Sequence, residues 1–331
     1  MKIAIIKLGA KGDVVRTLSI LPALKKKYPE SEITWITKEN ISDLIDNNPH
    51  ISRVLTIPLK VEDSFDLLYN FDIEREATNL AGEITAHKKY GFCFEDGFIS
   101  AFNLEAEYYL NTIFDDELKK SNKKTYEEMM FGLAEIPYEG YRSEIFLEEK
   151  ERDYAASFLS SNNLSGRKII GIHMGAGPRW LSKAWSTQKI KEFIRRMKTE
   201  GYEIILFGGP DEVEGHKALK EELLGEGLMV YSNNPENSNK EFASLLDVCD
   251  KVVCSDSFAL HVSLALGKPT ISLFFCTSPD EVEGHGLLKK IISPKLYEFF
   301  PERMDQYSED LINSISAEDV AEAVLGFDKK D

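Results

Sequence analysis

The chain has little cysteine: four in 331 residues, at positions 93, 249, 254 and 276, none of them in a Cys-x-x-Cys pair. That argues against a disulfide framework and a zinc knuckle and fits a reducing compartment. No apolar run approaches the roughly 18–20 residues needed to span a bilayer, so no membrane-spanning helix is expected. Lys7, Lys11, Asp13 and Arg16 interrupt the N-terminal apolar stretch, so no secretory leader is expected either. Basic residues are in deficit, 40 against 56 acidic, for a net charge of −16, which makes nucleic acid an unexpected partner. Two motifs are also missing. There is no Gly-x-Gly-x-x-Gly, the dinucleotide fingerprint. Nor are any two aspartates spaced Asp-x-Asp, the pair that holds a cation in metal-dependent sugar-nucleotide transferases.

What is present reads as a soluble α/β protein long enough for two domains, with 43% hydrophobic and 29% charged residues. The opening MKIAIIKL is a strand apolar on both faces, followed by Gly9-Ala10-Lys11-Gly12-Asp13 and a helix expected over 14–28. The two glycines let the backbone turn sharply and approach a ligand. Asp13 falls at the mouth of the sheet, where open α/β folds bind ligands, although by position alone it reads as a helix N-cap. Further strands are expected at 32–37, 54–57, 66–71 and 90–94, with helices at 41–47, 73–87 and within 103–135. The aperiodic stretch 137–149, with Pro137 and Gly140, places a junction that divides the chain into domains 1–145 and 146–331.

The second half restarts the scheme. A strand at 168–173 leads into Gly175-Ala176-Gly177-Pro178, and Ser186 or Thr187 caps a helix at 188–200. A strand at 203–207 meets Gly208-Gly209-Pro210 and a helix around 211–224; a strand at 228–231 and a helix at 241–246 follow. The stretch 252–279 then gives a strand, the polar elbow Ser255-Asp256-Ser257, a helix to Leu266 and another strand. Serine and aspartate there are capping residues, and the helix start suits a phosphate. A last amphipathic helix is expected over 316–327. The expected fold class is α/β, two Rossmann-like domains facing a central cleft. Asp13, Gly175, Ala176, Arg179, Lys183, Glu212 and the run Asp256, Ser257, Phe258, Ala259, Leu260, His261 fall at strand ends, where a phosphate-bearing ligand would sit. Lys183 or Arg179 could neutralise a diphosphate, and a carboxylate such as Glu212 could bind ribose hydroxyls. Glu214 is a rival for Glu212, and His173 ends a strand beside the glycine loop.

Four ordered stretches carry a resemblance. IIKLGAKGDVVRTLSILPALKKKYP, Lys183-Ala184-Trp185-Ser186, LFGGPDE and SDSFALHVSLALGKPTISLF together resemble the motifs of glycosyltransferase family 9, the lipopolysaccharide heptosyltransferases, along nearly the whole chain. The resemblance implies a GT-B fold and a bacterial, cytoplasmic, inverting and metal-independent transferase without a cofactor. Its partners would be a nucleotide-sugar donor, commonly ADP-heptose, and a lipid-linked glycan acceptor, which allows peripheral membrane contact. It implies Asp13 as the base, Lys183 as the diphosphate neutraliser, Glu212 on the ribose, and the backbone of 257–260 with His261 on the donor. Three residues depart from the pattern: Ser186 stands in place of proline, Arg16 in place of a frequent histidine, and Phe258 in place of a glycine. Other readings of the same fold are a sugar-nucleotide epimerase or hydrolase and a non-catalytic binding homologue.

Overall fold

The structure, a computed structural model, describes residues 1–173, 175, 177 and 180–327. The chain forms two compact units. One is Met1–Phe146 with Asp280–Glu283; the other is Leu147–Pro279 with Gly284 onward.

The first unit is built on β1 (Lys2–Ile6), β2 (Glu32–Lys38), β3 (Arg53–Ile57), β4 (Ser64–Asn70), β5 (Thr85–Glu95) and β6 (Phe98–Ala101), in the order β3-β2-β1-β4-β5-β6. Every pairing is parallel except that of β5 with β6. The second unit carries β7 (Lys168–His173), β8 (Tyr202–Phe207), β9 (Tyr231–Ser232), β10 (Lys251–Ser255), β11 (Thr270–Phe274) and β12 (Leu288–Ile292), in the order β12-β11-β10-β7-β8-β9, all parallel. Counted from its own first strand, each sheet has the same doubly wound order. Chain direction across the sheet reverses between β1 and β4, and again between β7 and β10. Crevices at such reversals are where α/β sheets place ligands.

The strand sequences explain the layers. Ile3, Ala4, Ile5 and Ile6 of β1 are all fully buried, as a central strand covered by helices on both faces must be. β10 is buried along its whole length, Lys251 included, whose Nζ donates to Tyr202 Oη (3.0 Å) and to the carbonyl of Val324 (2.9 Å). A large core of the second unit joins Trp185, Phe193, Met197, Ile204, Leu206 and Phe275. All four cysteines are buried. Among the described residues no helix is long and apolar enough to cross a membrane.

Several elements differ from expectation. The helix over 14–28 is two helices, Lys11–Thr17 and Ile20–Lys27. Pro22 accounts for the break, because it has no N–H to donate to the Leu18 carbonyl and its ring crowds that carbonyl. The helix expected over 73–87 is Arg75–Glu83, and Thr85–Lys89 lengthen β5 in register with β4. The helix expected over 41–47 is the single turn Glu39–Ser42. β6 was not anticipated, although Asp96-Gly97 is a hairpin turn signal, and both residues have positive φ, 50° and 89°. β12 is a half-exposed edge strand bearing Lys289 and Lys290, too polar to stand out in the sequence.

Candidate functional site

At the first reversal β1 runs on to Lys7-Leu8-Gly9, and β4 to Phe71-Asp72. The Asp72 carboxylate accepts the backbone N–H of Leu8 (2.9 Å), that of Gly9, and that of Glu74 (2.9 Å). Lys7 Nζ lies 3.5 Å from the same carboxylate and donates to the Phe71 carbonyl (3.1 Å), and both side chains are buried. A Cβ on Gly9 would stand 2.9 Å from Asp72 Oδ2. Glycine is therefore needed here for the approach of the protein's own acid. The N–H groups of Leu8 and Gly9 are thus taken by that acid.

Asp13 is not an N-cap. The helix begins at Lys11, Ala10 caps it without a side-chain bond, and Asp13 is its third residue. Its Oδ1 accepts from Arg16 Nε (3.1 Å) and Nη2 (2.8 Å). The Arg16 guanidinium lies 3.7 Å above the centre of the Tyr126 ring. Tyr126 Oη is 2.8 Å from Thr17 Oγ1, and Thr17 Oγ1 donates to the Asp13 carbonyl (2.6 Å). Burial works hardest against the charge of Arg16, but Asp13, Tyr126, Tyr109 and Glu127 together outweigh it and raise its pKa. Glu127, next to Tyr126, has its carboxyl pushed up to about 7 by burial, with Arg16 pulling the other way. Its Oε2 has no hydrogen-bond partner among the described residues. Asp13 itself is about a third exposed.

At the second reversal β7 ends at His173 and β10 leads to Asp256-Ser257. The helix Phe258–Ala265 starts there with Ser257 as N-cap, yet Ser257 makes no side-chain cap bond. Its Oγ is instead 3.3 Å from His173 Nδ1. The capping role expected of Ser255 and Ser257 is thus not taken up: His173 engages the Ser257 hydroxyl, and the Ser255 hydroxyl is buried with no partner among the described residues. Burial, reinforced by His216, lowers the His173 pKa to about 4, so the ring is neutral at pH 7. Lys183 Nζ donates to Asp256 Oδ2 and to the Asp256 carbonyl, both at 3.1 Å. His261 Nε2 lies 3.8 Å from Asp256 Oδ1. Lys183, Asp256 and His261 thus meet at the start of one helix, where the dipole end is positive. Ala259 and Leu260 are fully buried and offer only backbone.

Phe258 does not stand alone at this helix start. Its ring stacks on Phe242 at 5.4 Å, and Phe242 meets Phe207 and His173 edge-on. Glu212 follows the Gly208-Gly209-Pro210 turn; its Oε2 accepts the Gly209 N–H (2.8 Å) and its Oε1 packs on Gly175, where a Cβ would come within 2.2 Å. The rival Glu214 is exposed in the first turn of the helix Val213–Gly225. Beside Glu212 opens a largely apolar pocket of about 390 Å³, lined by Gly208, Gly209, His216, Lys220, Ser232 and Asn233 among others. Ala176 and Arg179 lie outside the described residues. Sequence reasoning missed Asp72 and the partnership of Arg16 with Tyr126. Only the pairing of β4 with β1 brings Asp72 to Gly9.

The model of glycosyltransferase family 9 (heptosyltransferase) matches residues 64–310. Lipopolysaccharide heptosyltransferase 1 of Campylobacter coli is 23% identical, over 98% of each chain. Lipopolysaccharide heptosyltransferase 2 of Salmonella typhimurium is 23% identical, over 85% of this chain and 84% of that one. Among solved structures, a family 9 glycosyltransferase from Veillonella parvula superposes with a TM-score of 0.78 at 19% identity, covering 99% of this chain and 97% of that one. ADP-heptose lps heptosyltransferase II of E. coli gives 0.72 at 18%, covering 98% of each. The doubly wound duplication is therefore the two-domain GT-B-type α/β fold of these enzymes, and the chain belongs to glycosyltransferase family 9 and is a glycosyltransferase.

Proposed function

We propose that this enzyme moves heptose from an ADP-linked donor to a lipid-linked lipopolysaccharide core acceptor, in one inverting displacement that needs no metal ion. The observation that carries the donor half is the meeting of Lys183, Asp256 and His261 at the uncapped start of helix Phe258–Ala265. Backbone N–H groups and an ammonium there can take over the charge of a departing diphosphate, the work a cation does elsewhere. In this reading Glu212 takes the ribose hydroxyls, and the neighbouring apolar pocket receives the base. Asp13 takes the proton of the acceptor hydroxyl as its oxygen attacks the anomeric carbon; the bond to the diphosphate breaks, and nucleoside diphosphate leaves with the electron pair. Such a base contributes about 10²–10⁴ in rate. The enzyme then works at the cytoplasmic face of the membrane, where a lipid-linked acceptor is met.

A thermal-shift panel of ADP-, GDP-, UDP- and CMP-sugars tests the donor half. A ligand at 100 times its Kd adds about 2.7 kcal/mol to the folded state. Stabilisation by the ADP class alone, lost in Lys183→Ala, is expected. Stabilisation by another class, or an unchanged shift in the variant, would overturn the donor assignment or the role of Lys183 respectively.

A further inference from the structure

We propose that Arg16 is the positioning residue of the Asp13 base, resting on the reading of Asp13 just given. Four contacts close a ring around it. The guanidinium gives two N–H donors to one oxygen of Asp13, at 3.1 and 2.8 Å. Its plane rests on Tyr126, 3.7 Å from the ring centre. The Tyr126 hydroxyl is tied to Thr17, and Thr17 is tied to the Asp13 carbonyl. Tyr126 is itself fixed, being fully buried and met edge-on by Tyr109 at 6.0 Å.

The consequence is directional. With Oδ1 committed to two donors, the carboxylate plane is held while the base takes the proton of the acceptor hydroxyl. Two N–H bonds from a rigid fork fix that plane in a way a single ammonium cannot. The same cation weakens Asp13 as a base, so the arrangement trades strength for orientation. The groups that face Arg16 are Asp13 on its own helix, Tyr126 and Glu127 on Tyr126–Leu133, and Tyr109 on Leu104–Phe114; Lys7 also acts on this cluster from the end of β1. Glu127 competes for the guanidinium when it ionises.

The test has one readout that needs no substrate. In the ¹³C NMR titration of the Asp13 carboxyl, Arg16→Gln is expected to raise the midpoint by about one unit. With ADP-heptose and a lipid-core acceptor, the same variant should lose roughly 10- to 100-fold in kcat with the donor KM within twofold, as expected when orientation at the reacting centre is lost. Arg16→Lys should restore the midpoint but not the rate, and added guanidinium should recover part of the rate of Arg16→Gln. Tyr126→Phe keeps the ring and cuts the tie to Thr17; it should lower kcat severalfold at an unchanged midpoint. Should Arg16→Gln fail to fold, Arg16→Lys and Tyr126→Phe carry the test. A midpoint and kcat within error of wild type in these variants overturn the proposal. Absence of turnover in wild type, with the midpoint still moving, would instead overturn the donor and acceptor reading and leave the pairing of Arg16 with Asp13 standing.

Discussion

At the scale of single residues, the two glycine loops look alike in the sequence and do different work. Gly9 gives way to Asp72, and Gly175 gives way to Glu212. Gly175→Ala is expected to push aside the flexible end of Glu212, leaving the melting temperature within about 2 °C and weakening nucleotide binding about tenfold. Calorimetric titration with ADP checks it, and undiminished affinity would remove Glu212 from the ribose. Asp72→Asn leaves Lys7 buried without its carboxylate, which costs about 3 kcal/mol; a denaturant melt that matches wild type would contradict this. Asp13, Lys183, Glu212 and His261 could be named from the sequence because polar residues at strand ends are conspicuous. Asp72 could not, because its partner is 63 positions away. The seat of the Phe258 ring is hidden from the sequence for a related reason: the ring that receives it, Phe242, lies on another helix.

At the scale of elements, central strands and the edge strand β3 were legible, the edges β6 and β12 were not, and β9 lies at Tyr231–Ser232 rather than over 228–231. β1, β7 and β10 are short apolar runs whose burial leaves no alternative reading, whereas β6, β9 and β12 are short or half exposed and carry no clear period. Helix starts were readable where a capping side chain does its work: Ser186 accepts from Lys189 N–H at the start of Thr187–Thr199, and Ser316 from Asp319 N–H at the start of Ala317–Leu325. The helix that supports Arg16 is fixed in this way too. Thr125 and Glu128 form a capping box at the start of Tyr126–Leu133, which carries Tyr126 and Glu127. Thr125→Ala is expected to cost about 1 kcal/mol. It should also lower turnover slightly through Tyr126, and a stability loss with fully retained kcat would separate the helix from the site.

At the scale of the whole molecule, the buried groups with strongly shifted pKa values pull the two units in opposite senses as pH falls. Glu127 in the first has its carboxyl raised from 4.5 to about 7, so the folded form holds a proton that the unfolded chain has lost. That contribution is full below pH 4.5 and fades as pH rises through 7. In the second unit burial lowers both His173 and His216 from 6.5 to about 4, so there the unfolded chain binds the extra protons. Their contribution is full above pH 6.5 and fades as pH falls towards 4, at about 1.4 kcal/mol per pH unit for each group. Differential scanning calorimetry between pH 4.5 and 6.5 should show the first unit gaining and the second losing stability on acidification. Glu127→Gln should flatten the first trend only; parallel trends would refute the assignment. The duplication has a further consequence, for counting. Two copies of one nucleotide-binding topology would suggest two nucleotides per chain, yet in the first copy Asp72 holds the seat a phosphate would take. Titration with ADP should therefore saturate at one equivalent, because in half of the molecule a side chain of the protein already takes the N–H groups of Leu8 and Gly9.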